Sequence, residues 1–280
     1  MSPRHAVFIT IALVVAWMTW VLPAASVQLG YVTFFCSLFV FGLPHGFVDP
    51  IVIWRAGWKV RFGYGFLALL AGGIWWVFPS AAVLGFLGIT AWHWGIAEVP
   101  RETTEGFWRW QGRGVAQGAV LVLGVLFWDR PGAIAALELT GAAVVLPEGI
   151  WLGVSWFACL LWTVCAGRGG QPWWPIIGVI ILVMTAPALL AVATYYVGWH
   201  SWRSYRVFQK EAPEMRAWSH FWAWLTIAGV LAAAVTRNWQ WDQAGLGFGL
   251  HFKVLGVLTL PHAVLALWLD RNGGKKHPTS

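Results

Sequence analysis

The chain has 280 residues, of which 59% are apolar and only 10% are charged. A soluble domain carries roughly a quarter charged residues, so this composition excludes an ordinary soluble enzyme and a disordered chain. It also leaves too few cations for a nucleic-acid-binding groove, and we expect no nucleic-acid partner. The composition predicts an all-α polytopic membrane protein. The net charge of +7 is then a signal of topology, because Lys and Arg collect in cytoplasmic loops.

Apolar runs long enough to span a bilayer, about 20 residues each, cover most of the chain. The predicted spans are, in order, Ala6–Gln28, Leu29–Trp54, a stretch Phe62–Ala97 that divides at Pro79-Ser80, Gly114–Trp128, Gly132–Leu146, Gly149–Gly167, Trp173–Trp202 with Pro187 inside it, Ala217–Thr236 and Leu250–Leu269. This gives about ten helices, or about eight if the short spans 114–128 and 132–146 do not cross. We predict one integral membrane domain, 1–280, with a short polar tail at 270–280.

The basic residues predict the orientation of these spans. With the N-terminus placed in the cytoplasm, all but four of the 18 Lys and Arg residues fall in inside loops or tails. The loop Glu98–Arg113, for example, lies inside. The exceptions are Arg130, Arg168, Arg237 and Lys253. This asymmetry favours a protein of the cell membrane with both termini in the cytoplasm.

Four histidines lie within the predicted spans, where an ionisable side chain is costly and marks a candidate functional site. They are His45, His93, His200 and His262. At 1.5 Å per residue, all four fall in the inner half of the roughly 30 Å apolar core, although they come from four helices. Imidazole is the common ligand for iron, copper and zinc. The pattern therefore predicts a metal site, against the alternative that each histidine only hydrogen-bonds a neighbouring helix.

A histidine that binds a metal usually donates its other ring N–H, in a hydrogen bond, to a carboxylate or another oxygen. Asp49 follows His45 by four residues, Glu98 follows His93 by five, and Tyr196 precedes His200 by four. These three side chains are the candidates for orienting the ligands. Pro44-His45 and Pro261-His262 add prolines, which membrane helices tolerate where the backbone lines a cavity.

The segments that carry the histidines resemble the motifs of a known family. GLPHGFVDP (42–50) resembles the PHGxxD motif of the Brp/Blh family of membrane β-carotene 15,15′-dioxygenases, and His93-Trp94-Gly95 resembles its HFG motif. Trp199-His200-Ser201-Trp202-Arg203 resembles its WHSxRH motif, and Thr259-Leu260-Pro261-His262 its C-terminal PH segment. The four motifs occur in order over most of the chain.

The resemblance implies a non-haem Fe(II) enzyme that cleaves β-carotene, or a similar carotenoid, with O₂ at the central double bond to give two retinal molecules. It makes His45, His93 and His200 metal ligands with His262 as the fourth, and it implies a functional link to a retinal-binding rhodopsin. One position departs from the family: Ser204 stands where a second histidine is usual. Either His262 completes the site, or three histidines and water hold the metal, or the chain is a diverged member with altered activity, acting on another carotenoid or a lipid. Ser204 itself is a candidate for a side chain beside the metal ligands.

Two other functions stay open at this point. The first is a different membrane metalloenzyme, such as a lipid or carotenoid hydroxylase or desaturase. Those enzymes resemble one another in paired HxxxH and HxxHH boxes, and the sequence has no such box, which counts against this function. A non-enzymatic membrane protein, such as a transporter or a rhodopsin-associated scaffold, would use the histidines for packing or proton relay.

Overall fold

The computed structural model describes residues 3–37, 53, 56–99, 106–166, 174–201 and 241–273. These residues form ten α-helices and one π-helix, and they contain no strand. The helices are α1 (Pro3–Val21), α2 (Pro23–Ser37), α3 (Trp58–Val77), α4 (Pro79–Glu98), α5 (Phe107–Trp128), α6 (Arg130–Glu138), α7 (Gly149–Ala166), α8 (Trp174–Thr185), α9 (Ala188–Tyr195) and α10 (Trp241–Gly273), with the π-helix at Tyr196–Ser201. The prediction of an all-helical fold is confirmed for this part of the chain.

Three described helices are long and apolar enough to cross a membrane, namely Arg4–Val21, Trp58–Val77 and Pro79–Glu98. A fourth crossing is possible if α5 and α6, which meet at an angle of 99°, count as one span. Outer helices also expose large apolar side chains, such as Trp76 of α3, which is 90% exposed. Such a surface suits lipid better than water. The exact number of spans and the side of each terminus stay predictions, as does the single-domain organisation.

Some predicted helix boundaries agree with the structure and others do not. The break at Pro79 and the helix starting at Gly149 are confirmed. The predicted first span Ala6–Gln28 is wrong at its end, because α1 stops at Val21 and α2 begins at Pro23. Proline suits the first position of a helix, since its missing N–H would have no intrahelical acceptor there. The predicted span 217–236 lies outside the described residues.

The two short predicted spans turn out to be unlike each other. The first is part of a full-length helix, α5, which starts at Phe107. The prediction that Arg113 ends a loop is therefore wrong, because Arg113 is a buried residue of this helix. The second prediction, Gly132–Leu146, is wrong: α6 ends at Glu138, and the chain continues through a turn at Gly141, whose φ is +75°. That left-handed backbone favours glycine and breaks the helix.

The predicted single helix Trp173–Trp202 is also wrong. Thr185 ends α8, Pro187 precedes α9, and the chain folds back there. Gly178 of α8 and Gly198 of the π-helix both lie against the ring of Phe8. In one straight helix they would be about 30 Å apart. Proline cannot donate the hydrogen bond that would continue the helix. The segment is therefore a hairpin, packed with α8 against α1 and α9 against α2.

The tightest packing lies between α4 and α5. A Cβ on Gly95 would overlap the carbonyl oxygen of Gly114, and a Cβ on Gly118 would overlap that of Ala91. The spacing of four residues on each helix, Ala91 to Gly95 and Gly114 to Gly118, is the small-xxx-small pattern that lets membrane helices touch backbone to backbone. This contact fixes the half of α4 that carries His93, Trp94 and Glu98.

Candidate functional site

Three of the four predicted ligand histidines lie together, on three different helices. His93 of α4 is in the middle: its ring centroid is 5.5 Å from that of His200 in the π-helix and 4.9 Å from that of His262 in α10. Both ring pairs meet edge to face. His93 and His262 are more than 160 positions apart in the sequence. Helical periodicity relates only residues of the same helix, so it does not predict that these side chains meet.

Each histidine reaches this point through a different local feature. His93 lies beside the small-residue contact of α4 with α5, where backbone packing leaves little freedom. His262 follows Pro261, a fully buried proline inside the 33-residue α10, which packs against α3 and α4. His200 lies in the π-helix, and its side chain is only 1% exposed.

The π-helix is an irregular turn at the functional end of the hairpin. A π turn closes i→i+5 hydrogen bonds and is rare, and where it occurs it is frequently at a functional site. Here it holds Tyr196, His200 and Ser201 in buried positions. Within it, the neighbouring residues Trp199 and His200 both approach Glu98 of α4.

Both of those residues meet the same carboxylate, that of Glu98. Nδ1 of His200 lies 3.8 Å from Oε1 of Glu98, and the indole N–H of Trp199 donates to Oε2 of Glu98 at 2.6 Å. The Glu98 side chain is 2% exposed. A buried carboxylate is stable only with donors or cations beside it, and these two rings occupy that position.

Aromatic side chains enclose His200 on several sides. The ring centroids of Trp94, Tyr195 and Tyr196 lie 5.6, 6.4 and 6.0 Å from that of His200, and both tyrosine rings stack nearly parallel to it. The enclosure keeps bulk water from this histidine. It also lowers the local dielectric, which strengthens the interaction of His200 with Glu98.

The donor chemistry suits a metal ion that prefers nitrogen ligands. Two imidazoles that bind one ion at about 2.1 Å hold their centroids about 4.5–5.5 Å apart, and both observed separations lie in that range. Among the residues that the structure describes, however, no group of three His, Cys, Asp or Glu is arranged to hold a metal ion. His45, the remaining predicted ligand, lies outside those residues.

The predicted orienting residues have different outcomes. Glu98 lies at the site, where its carboxylate is beside Nδ1 of His200. Tyr196 packs on His200, as its spacing predicted. Asp49 and Ser204 lie outside the described residues.

Sequence reasoning missed two residues of the site: Tyr195 and Trp199. Each is adjacent to a predicted site residue in the sequence. That adjacency was the available signal, although among 24 tryptophans it singles out no particular one.

Comparisons with known proteins agree with the motif resemblance. The β-carotene 15,15′-dioxygenase family profile matches residues 36–270. A probable β-carotene 15,15′-dioxygenase, Blh, of Halobacterium salinarum is 27% identical, in an alignment that covers 87% of this chain and 85% of the relative. No solved structure matches the chain. The family match covers most of the chain and includes all four predicted ligand histidines, so this protein belongs to the β-carotene 15,15′-dioxygenase family.

Proposed function

We propose that this protein is a membrane-embedded non-haem Fe(II) dioxygenase that cleaves β-carotene at its central double bond. One β-carotene and one O₂ give two retinal molecules, so all atoms of the polyene and both oxygen atoms appear in the products. The observation that carries the proposal is the convergence of His93, His200 and His262 from three helices. The family match supplies the substrate class.

His45, His93, His200 and His262 would hold the iron. Neutral imidazoles can bind Fe(II) without adding anionic ligands to a low-dielectric interior. When bound, Fe(II) supplies the one-electron chemistry that activates O₂ for addition across a C=C bond. Zinc would bind similar ligands but has no redox chemistry, so the choice of iron rests on the family and not on the histidines.

The side chains around the histidines prepare them for that role. Oε1 of Glu98 lies 3.8 Å from Nδ1 of His200, beyond hydrogen-bond distance, and its electrostatic attraction would favour the tautomer protonated at Nδ1, which leaves the Nε2 lone pair for a metal. Trp94, Tyr195 and Tyr196 exclude water and offer flat apolar faces suited to a polyene. Asp49 would orient His45 in the same way that Glu98 orients His200.

A location in the cell membrane suits this reaction physically. β-Carotene dissolves in lipid and not in water, and retinal also partitions to the bilayer, where a rhodopsin would receive it. Exposed apolar faces on α1, α3 and α7 provide the surface that a bilayer requires.

The first experiment is expression in a β-carotene-producing bacterial host, followed by chromatography of the extracted pigments. We expect β-carotene to decrease and retinal to appear at a ratio of two to one. His93→Ala and His200→Ala should reduce turnover by more than the 10–100-fold cost of losing an outer ligand partner. His277→Ala, in the polar tail, is the matched control and should retain wild-type activity.

Unchanged β-carotene, in cells that contain folded protein and iron, would overturn the proposal. The products also report the position of cleavage. Two aldehydes of unequal length would show that the enzyme cleaves away from the central double bond. Iron determination on the purified inactive protein would then separate a different metalloenzyme from a non-catalytic membrane protein.

The position of the fourth ligand has its own test. His262 contacts His93, and the family usually has a histidine where this chain has Ser204. We expect His262→Ala to lose iron and activity, and Ser204→His in that background to recover part of both. Full activity of His262→Ala would show that His262 is not a ligand.

A further inference from the structure

We propose that Trp199 is a positioning residue of the site, which fixes Glu98 so that its second oxygen faces His200. This inference rests on the proposed function and names a residue that the metal-ligand assignment does not use. Its basis is the geometry of one carboxylate shared by two consecutive side chains. Oε2 accepts the indole N–H at 2.6 Å, and Oε1 lies 3.8 Å from Nδ1 of His200.

A glutamate side chain needs such an anchor. It has several rotatable bonds, and Glu98 lies at the last residue of α4, where the backbone no longer continues in a regular helix. The hydrogen bond that the indole N–H donates to Oε2 at 2.6 Å selects the rotamer in which Oε2 faces Trp199. The remaining oxygen is then placed beside His200.

The indole also packs against α1. The ring centroids of Phe8 and His5 are each 5.4 Å from that of Trp199, and Phe8 is completely buried. The family match begins at residue 36, after α1. The first helix of this chain therefore supports the site through Trp199, although it lies outside the part that defines the family.

The test uses full-length protein purified in detergent, with Fe(II) affinity measured by competition with a chelator. Trp199→Phe keeps one aromatic ring but removes the N–H donor together with the second ring of the indole, a loss of volume that the control below shares. We expect its Fe(II) affinity to fall about 10–100-fold, the usual cost of losing an outer partner of a ligand histidine. The matched control is Trp156→Phe, since Trp156 is also buried and donates its indole N–H, at 2.8 Å, to the Val120 carbonyl of α5. That variant should retain wild-type affinity.

Glu98→Gln keeps the Trp199 side chain and tests the same link if Trp199→Phe fails to fold. We expect a loss of Fe(II) affinity of similar size. In the double variant the two losses should not multiply, because both changes break one chain of contacts. The apparent Tm of each variant shows whether the loss exceeds what unfolding explains.

Two outcomes would overturn the inference while the proposed function survives. One is a Trp199→Phe affinity within about twofold of wild type, and the other is a double variant whose loss is the product of the single losses. A wild-type protein that binds no Fe(II) and yields no retinal would instead overturn the proposed function, and this inference with it.

Discussion

The two sides of the histidine cluster are built in opposite ways. On the α4 side, His93 lies on a regular helix whose backbone touches that of α5 through Gly95, Gly114 and Gly118. On the opposite side, His200 lies in a π-helix that ends a hairpin broken at Pro187. Backbone packing fixes the first histidine, whereas side-chain contacts fix the second.

This difference indicates where each side is vulnerable. A change in the small residues of α4 or α5 moves a whole helix and should affect folding before it affects chemistry. A change around His200 leaves the helices in place and should affect the site more than the fold. We therefore expect substitutions in the backbone contact of α4 with α5 to lower stability most, and substitutions of side chains that pack near His200 to lower it least.

The largest loss should come from the contact between α4 and α5. In Gly118→Ala the new Cβ would overlap the carbonyl oxygen of Ala91, which is backbone and cannot rotate away. We expect a loss of about 3 kcal/mol, at the upper end for an overpacked core, seen as a lower apparent Tm in detergent. The control is Gly112→Ala on the same helix, where a Cβ would have open space. Equal Tm values for the two variants would show that the helices can separate without cost.

An intermediate loss should come from Asp129, which links the hairpin to α5 and α6. Its carboxylate accepts from the backbone N–H of Gly132 at 3.2 Å and of Ala188 at 2.7 Å, at the starts of α6 and α9. Because each lost cap costs about 1 kcal/mol, Asp129→Ala should lose about 2 kcal/mol by chemical denaturation. Glu148→Ala removes an exposed carboxylate and serves as the control. A loss no greater than in that control would mean that water satisfies both helix starts.

The smallest loss of stability should come from Phe8. Phe8→Leu keeps an apolar side chain against the hairpin but withdraws the ring that packs on Trp199. We expect about 1 kcal/mol, well below the 3–5 kcal/mol typical of Phe→Ala, together with weaker Fe(II) binding. Val7→Ala changes the neighbouring exposed residue and should alter neither property. If Phe8→Leu lowers Tm while Fe(II) affinity is unchanged, α1 supports only the fold.

Much of the fold was predictable because apolar runs and prolines act locally. The break at Pro79 and the helix from Gly149 follow from the sequence within about one turn. The error over 173–202 has a physical cause: the run is apolar throughout, whether the chain crosses once or folds back at Pro187. Composition is the same in both cases, and only packing against α1 and α2 distinguishes them.

The sequence by itself determined that the chain is helical and apolar, and it predicted a metal site from the four histidines that lie within apolar runs. Those properties belong to residue types and short spacings. Only the tertiary structure decided that His93 lies between His200 and His262, and that the carboxylate of Glu98 lies beside Nδ1 of His200. These contacts join residues about 100 to 170 positions apart, so they depend on how helices cross, and no local pattern encodes that crossing.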